Sequence, residues 1–61
     1  MKYKFNVLEL LQQLEVRASY IKKVANGTAQ ASVEDVEKMC DEISYLKEKI
    51  EELVSLEATE N

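Results

Sequence analysis

A single Asn26-Gly27 step divides two amphipathic segments of similar length, and it holds the only glycine of a 61-residue chain that has no proline. Reversing direction needs a residue at ease with positive φ or one already bent, so this chain has one natural place to turn. The class that follows is all-α, an antiparallel two-helix hairpin forming a single domain over residues 1–61. Its expected parts are helix 1 over about 6–26, a loop at 27–31, helix 2 over about 32–57 and a frayed tail at 58–61.

Asn6 reads as the N-cap of helix 1, with Glu9 as its capping-box partner and Phe5 and Leu10 as the accompanying hydrophobic staple. The stretch before it, 1–5, alternates weakly and suits a loose arm, a short edge strand or an extra helical turn. Val7, Leu11, Leu14, Ala18, Ile21 and Ala25 then recur at steps of three and four and predict the face turned to helix 2. Val16, Tyr20 and Val24, at intervals of four, make a second apolar flank that one partner helix does not cover. Lys22 and Lys23 suit the negative end of the helix dipole, and Gly27 supplies the left-handed stop.

Ser32 is the next N-cap, with Asp35 three residues on, and Glu34, Asp35 and Glu37 favour the positive end of helix 2. Val36, Met39, Ile43, Leu46, Ile50 and Leu53 repeat as in a coiled-coil seam, widened at one edge by Cys40 and Val54. Glu57 takes the next seam position, so the seam is expected to end near Leu56. Antiparallel packing of the two stripes places Ile21 near Val36 or Met39, and Leu11 near Ile50.

A chain of this length buries only roughly 60% of its unfolded surface, and small domains commonly recover stability through disulfides, a metal or association. One cysteine and no histidine rule out an internal disulfide and the usual zinc ligand sets, which leaves association. The expected state is a homodimer, two hairpins joined as a four-helix bundle, with Val16, Tyr20 and Val24 as the self-association or partner interface. Charge is divided along the chain: residues 1–31 carry net +3 and residues 32–61 net −7. Folding one half on the other brings opposite charges together.

The same counts bound the chemistry. There is no histidine to act as a base, and one glycine does not build a phosphate-cradling loop. Cys40 is flanked by Asp41 and Glu42, the wrong charge to hold a thiolate, and reads as a small residue on the seam edge. Glu48, Glu51 and Glu52 cluster at helical spacing without the glycine-containing turn of a calcium loop, and read as a solvated face. The expectation is a non-enzyme with no catalytic residues, no metal site and no cofactor. No apolar run approaches the ~20 residues of a membrane span, and Glu9, Gln12, Gln13 and Glu15 interrupt what would be a signal-peptide core. The expectation is therefore a cytoplasmic protein without a membrane segment, and its size with an opening methionine suits a bacterial or phage accessory protein.

The two-helix layout and the chain length resemble those of the plasmid copy-control four-helix bundles of the Rop type. The resemblance is one of architecture, and architecture carries no function with it. A second hairpin family, the sporulation-control phosphatases of the Spo-zero-E type, carries Ser-Gln-Glu-Leu-Asp early in its second helix. The corresponding stretch here is Cys40-Asp41-Glu42-Ile43-Ser44, with serine where that motif has its essential acid, so the assignment is not made.

Two functions remain in view. The favoured one is a small non-catalytic protein–protein interaction module, an adaptor, inhibitor or regulator acting through helical surfaces as a homodimer. The alternative is a nucleic-acid-associated regulator, a Rop-like dimeric bundle using the cations Lys2, Lys4, Arg17, Lys22 and Lys23. The acidic total, with a pI near 4.7, weighs against the alternative, because such binding draws its affinity from neutralised phosphates.

Overall fold

The computed structural model describes residues 1–60 and contains two helices, α1 over Lys4–Ala25 and α2 over Val33–Glu60. They pack on each other and run antiparallel. Two contacts set the register: the Lys2 backbone N–H donates to the Glu57 carboxylate at 2.8 Å, and Arg17 Nε donates to Glu42 at 2.6 Å. Stepping along both helices from these points puts, to within one residue, Val7 level with Leu53, Leu10 with Ile50, Leu14 with Leu46, Ile21 with Met39 and Val24 with Val36. Ile21 thus falls where the sequence places it, and Leu11 lies one residue off the Ile50 level.

The covered positions of α1 are Tyr3, Val7, Leu10, Leu14, Arg17, Ile21 and Val24, with Leu11 half-buried beside them. Those of α2 are Val36, Met39, Ile43, Leu46, Ile50, Leu53 and Glu57, flanked by Glu42. Both sets alternate steps of three and four without a break, the pattern of a two-helix seam. The expected face of α1 is therefore rotated. Ala18 and Ala25 are exposed, and Arg17 and Val24 take their places. A seam between only two helices is narrow, and an alanine methyl at its edge does not reach across it, whereas the long stem of Arg17 does.

At the end away from the loop both helices run past their expected limits, while at the loop each stops one residue short. Asn6 lies inside α1 rather than capping it; the N-cap is Tyr3, without a side-chain cap bond, and the Val7 N–H donates to the Tyr3 carbonyl at 2.9 Å. The capping box with Glu9 and the Phe5–Leu10 staple do not form, and Phe5 is 81% exposed. The earlier start brings Tyr3 onto the seam. At the same end Glu57 continues the seam instead of closing it. Since α1 has no acidic residue in its first turn, the Glu57 carboxylate supplies the negative charge that its dipole favours there. The helix runs on through residues 58–60 of the expected tail, and Asn61 lies outside the described residues.

The turn follows the sequence closely. Gly27 has φ +78°, its N–H donates to the Val24 carbonyl at 3.1 Å, and the Thr28 N–H donates to Lys23 at 2.9 Å. This is the Schellman arrangement, in which a left-handed residue closes the last turn on its own carbonyls. Ser32 and Asp35 form the reciprocal cap: the Asp35 N–H donates to Ser32 Oγ at 3.1 Å, and the Ser32 N–H to Asp35 Oδ2 at 3.4 Å. Tyr20 braces the loop by donating its hydroxyl to the Gln30 carbonyl at 3.1 Å.

The result is a rod of 45 × 17 × 12 Å, two helices wide and one thick. Among the described residues only Val7 and Leu46 are buried, at 9% and 5% exposure. A helix pair hides one stripe per helix, and without another layer the rest of each surface stays in water.

Candidate functional site

The single layer has two broad faces, and the heptad register assigns side chains to each. On the first face the rows beside the seam are Asn6, Gln13 and Tyr20 of α1 with Asp35, Glu42, Lys49 and Leu56 of α2. A groove of about 460 Å³ opens on this side, lined by Gln13 and Arg17 from one helix and by Lys38, Glu42 and Tyr45, among others, from the other. On the opposite face the corresponding rows are Lys4, Leu11, Ala18 and Ala25 with Val33, Cys40, Lys47 and Val54. The first face is mostly polar beside its seam, and the second is mostly apolar.

The groove is organised by one ion pair. Arg17 Nε lies 2.6 Å from Glu42, and its Nη1 donates to the Gln13 carbonyl at 3.0 Å. The guanidinium hydrogen bond holds the Glu42 carboxyl below its usual range, against the opposing effect of partial desolvation. A carboxylate lowered in this way contributes stability above the unfolded glutamate value, about pH 4.3, and loses it as pH falls through the folded value. Acidification below about pH 4 is therefore expected to lower the melting temperature, and Glu42→Gln to flatten that dependence. Melting curves from pH 7 down to pH 3 check it; an identical acid profile in Glu42→Gln would place the dependence on other carboxylates.

Two further ion pairs sit on the exposed surface of α2. Lys49 Nζ lies 3.3 Å from Glu52, whose hydrogen bond raises the lysine's pKa, and Lys47 lies 3.8 Å from Glu51. Glu51 and Glu52, read together with Glu48 as a carboxylate cluster, are thus interleaved with lysines. Among the described residues no group of His, Cys, Asp and Glu is arranged to hold a metal. Cys40 is a free, exposed thiol, not the covered seam-edge residue that its spacing suggests. Val54 is likewise exposed.

The expected interface residues divide. Val16, at 64% exposure, and Tyr20 belong to the groove face, together with Tyr45 and Leu56. Val24 turns into the seam against α2 and is half-buried. The expected basic strip is not assembled: Arg17 is engaged by Glu42, while Lys2 and Lys4 stand at one end of α1 and Lys22 and Lys23 at the other. About eighteen residues at 1.5 Å each, roughly 27 Å, separate these two pairs. Leu8 and Val33 are also exposed apolar side chains, and neither belongs to the apolar stripes expected from spacing. Steps of seven through Leu11, Ala18 and Ala25, and through Val33, Cys40, Lys47 and Val54, mark their face.

Among the described residues no helix is long and apolar enough to cross a membrane. Comparison with family models, with curated proteins and with solved structures finds no match to this chain.

Proposed function

We propose that this chain is a non-catalytic protein–protein interaction module that works as a homodimer, its two hairpins stacked as a four-helix bundle in the cytoplasm. The observation that carries the reading is its surplus of surface. The hairpin exposes 4849 Å², whereas a compact monomer of 7.0 kDa is expected to expose about 4,000 Å². The difference, roughly 800 Å², is the share one partner contributes to a standard protein interface. Stacking a second layer supplies the cover that two helices alone lack.

The groove face suits recognition of another protein. Tyr20 and Tyr45 bring amphipathic rings, Val16 and Leu56 bring apolar surface, and the Arg17–Glu42 pair gives a polar centre. In a dimer joined through the other face, this surface stays outward for an adaptor, inhibitor or regulator to use. The nucleic-acid alternative is weakened by the separation of its cations and by the engagement of Arg17.

Sedimentation equilibrium on reduced protein, over a wide concentration range and at about 0.1 M and about 1 M salt, tests the reading. A dimer mass that persists at the higher salt is expected of an apolar interface. A monomer throughout overturns the homodimer. Tight RNA or DNA binding that collapses between about 50 and 200 mM salt would favour the alternative.

A further inference from the structure

We infer that the second copy sits on the face opposite the groove, with both loops at the same end of the bundle. The inference rests on the homodimer reading and adds the face and the orientation. The rows beside the seam decide the face. On the groove side they carry Asp35, Glu42, Lys49 and two amides, which a stacked layer would bury or force apart. On the other side the rows carry two charges, Lys4 and Lys47, whose long stems can reach solvent, while Leu11, Val33 and Val54 stand beside Ala18, Ala25 and Cys40, and Val33 is 75% exposed. Leu8, the next residue outward on α1, extends that apolar surface.

Charge selects the orientation. Two hairpins stacked with loops at one end place each α1 over the α2 of the other copy, so the basic half of one chain covers the acidic half of the next. The register then sets Lys22 beside Glu37 of the second copy, and Glu15 within about a turn of its Lys47. Loops at opposite ends would instead lay α1 on α1 and α2 on α2. Near the middle of that bundle Glu15 would meet Glu15 and Lys47 would meet Lys47, both repulsive.

The test combines mass with distance. In wild type a dimer is expected. In Cys40→Ser protein carrying a nitroxide at Gln30→Cys, pulsed dipolar spectroscopy should give a spin–spin distance of roughly 15–25 Å, set by helix spacings of 8–10 Å. Loops at opposite ends would separate the labels by nearly the 45 Å length of the rod. Ala18→Glu puts a charge on the proposed interface and should raise the dimer dissociation constant roughly 100-fold or more, with helicity kept. Val16→Glu, on the groove face, should change it by less than about 3-fold. If Ala18→Glu also loses helix, the loss should recede as protein concentration rises; a concentration-independent loss overturns the inference. A folded wild-type monomer sinks both this inference and the homodimer reading. A wild-type dimer with distant labels, or one dissociated by Val16→Glu and not by Ala18→Glu, overturns the face and orientation alone.

Discussion

Leu46→Asp is expected to abolish the folded state: the far-UV helical signal falls to that of a coil, and the cooperative melt disappears. Leu46 is the most deeply covered residue of the seam, at 5% exposure, and its register places it against Leu14. Truncating a buried leucine to alanine costs about 2–5 kcal/mol. Aspartate in its place adds the desolvation of a carboxylate, and Arg17, which lines the same groove, is already engaged by Glu42. A domain of this length holds only about 3–9 kcal/mol of stability in total, on the usual scale per residue. The substitution consumes that margin, because the seam within each hairpin is a single thin stripe in which, among the described residues, only Val7 and Leu46 are buried. Phe5→Asp is the control. It removes a larger side chain, yet Phe5 is 81% exposed, and the expected change is within about 0.5 kcal/mol. Retained helicity and cooperative melting in Leu46→Asp would mean that the seam runs elsewhere.

Gly27→Val is expected to cost about 1–2 kcal/mol, through the backbone alone. At φ +78° a side chain meets nothing within 4 Å, so no clash contributes. What opposes valine is its own carbonyl and Cβ geometry in the left-handed region, most severe for a branched residue. Escape to negative φ would break the bonds that Gly27 and Thr28 donate to Val24 and Lys23. Gly27→Asn should fall between the two, since asparagine tolerates that region better. Urea denaturation of the three proteins, with equal slopes and ordered midpoints, checks the series. A valine variant as stable as wild type would show that the turn does not depend on this conformation.

The two predictions probe features that differ in how plainly they were written. The turn was legible because it is local: Gly27 is the one residue free of the left-handed penalty, and it follows Lys22 and Lys23 in a last helical turn. The Ser32–Asp35 cap was legible for the same reason, and the seam of α2 because six apolar side chains repeat there with no competing row. On α1 two readings competed. Steps through Val7, Leu11, Leu14, Ala18, Ile21 and Ala25 are as regular as steps through Val7, Leu10, Leu14, Arg17, Ile21 and Val24. Apolarity favours the first, since the second asks an arginine to sit on the seam. The choice depends on Glu42, which lies on the other helix and comes into reach only in the folded register. The start of α1 was misplaced similarly. Asn6 offers a good local cap, but Tyr3 on the seam and Glu57 from α2 extend the helix past it.

The same contest bears on the interface residues. Val16, Tyr20 and Val24 form one flank on a single helix, and the hairpin divides them between its groove face and its seam. By itself, then, the sequence determined the helical class, the hairpin turn, the cap of α2 and its heptad seam. Each of these depends on residues within a few positions of one another. Tertiary structure decided which stripe of α1 faces inward, where α1 begins, how far α2 runs, and which faces remain for other chains. These depend on side chains some twenty-five to fifty-five positions apart, whose meeting is settled only when antiparallel packing chooses one register for both helices at once.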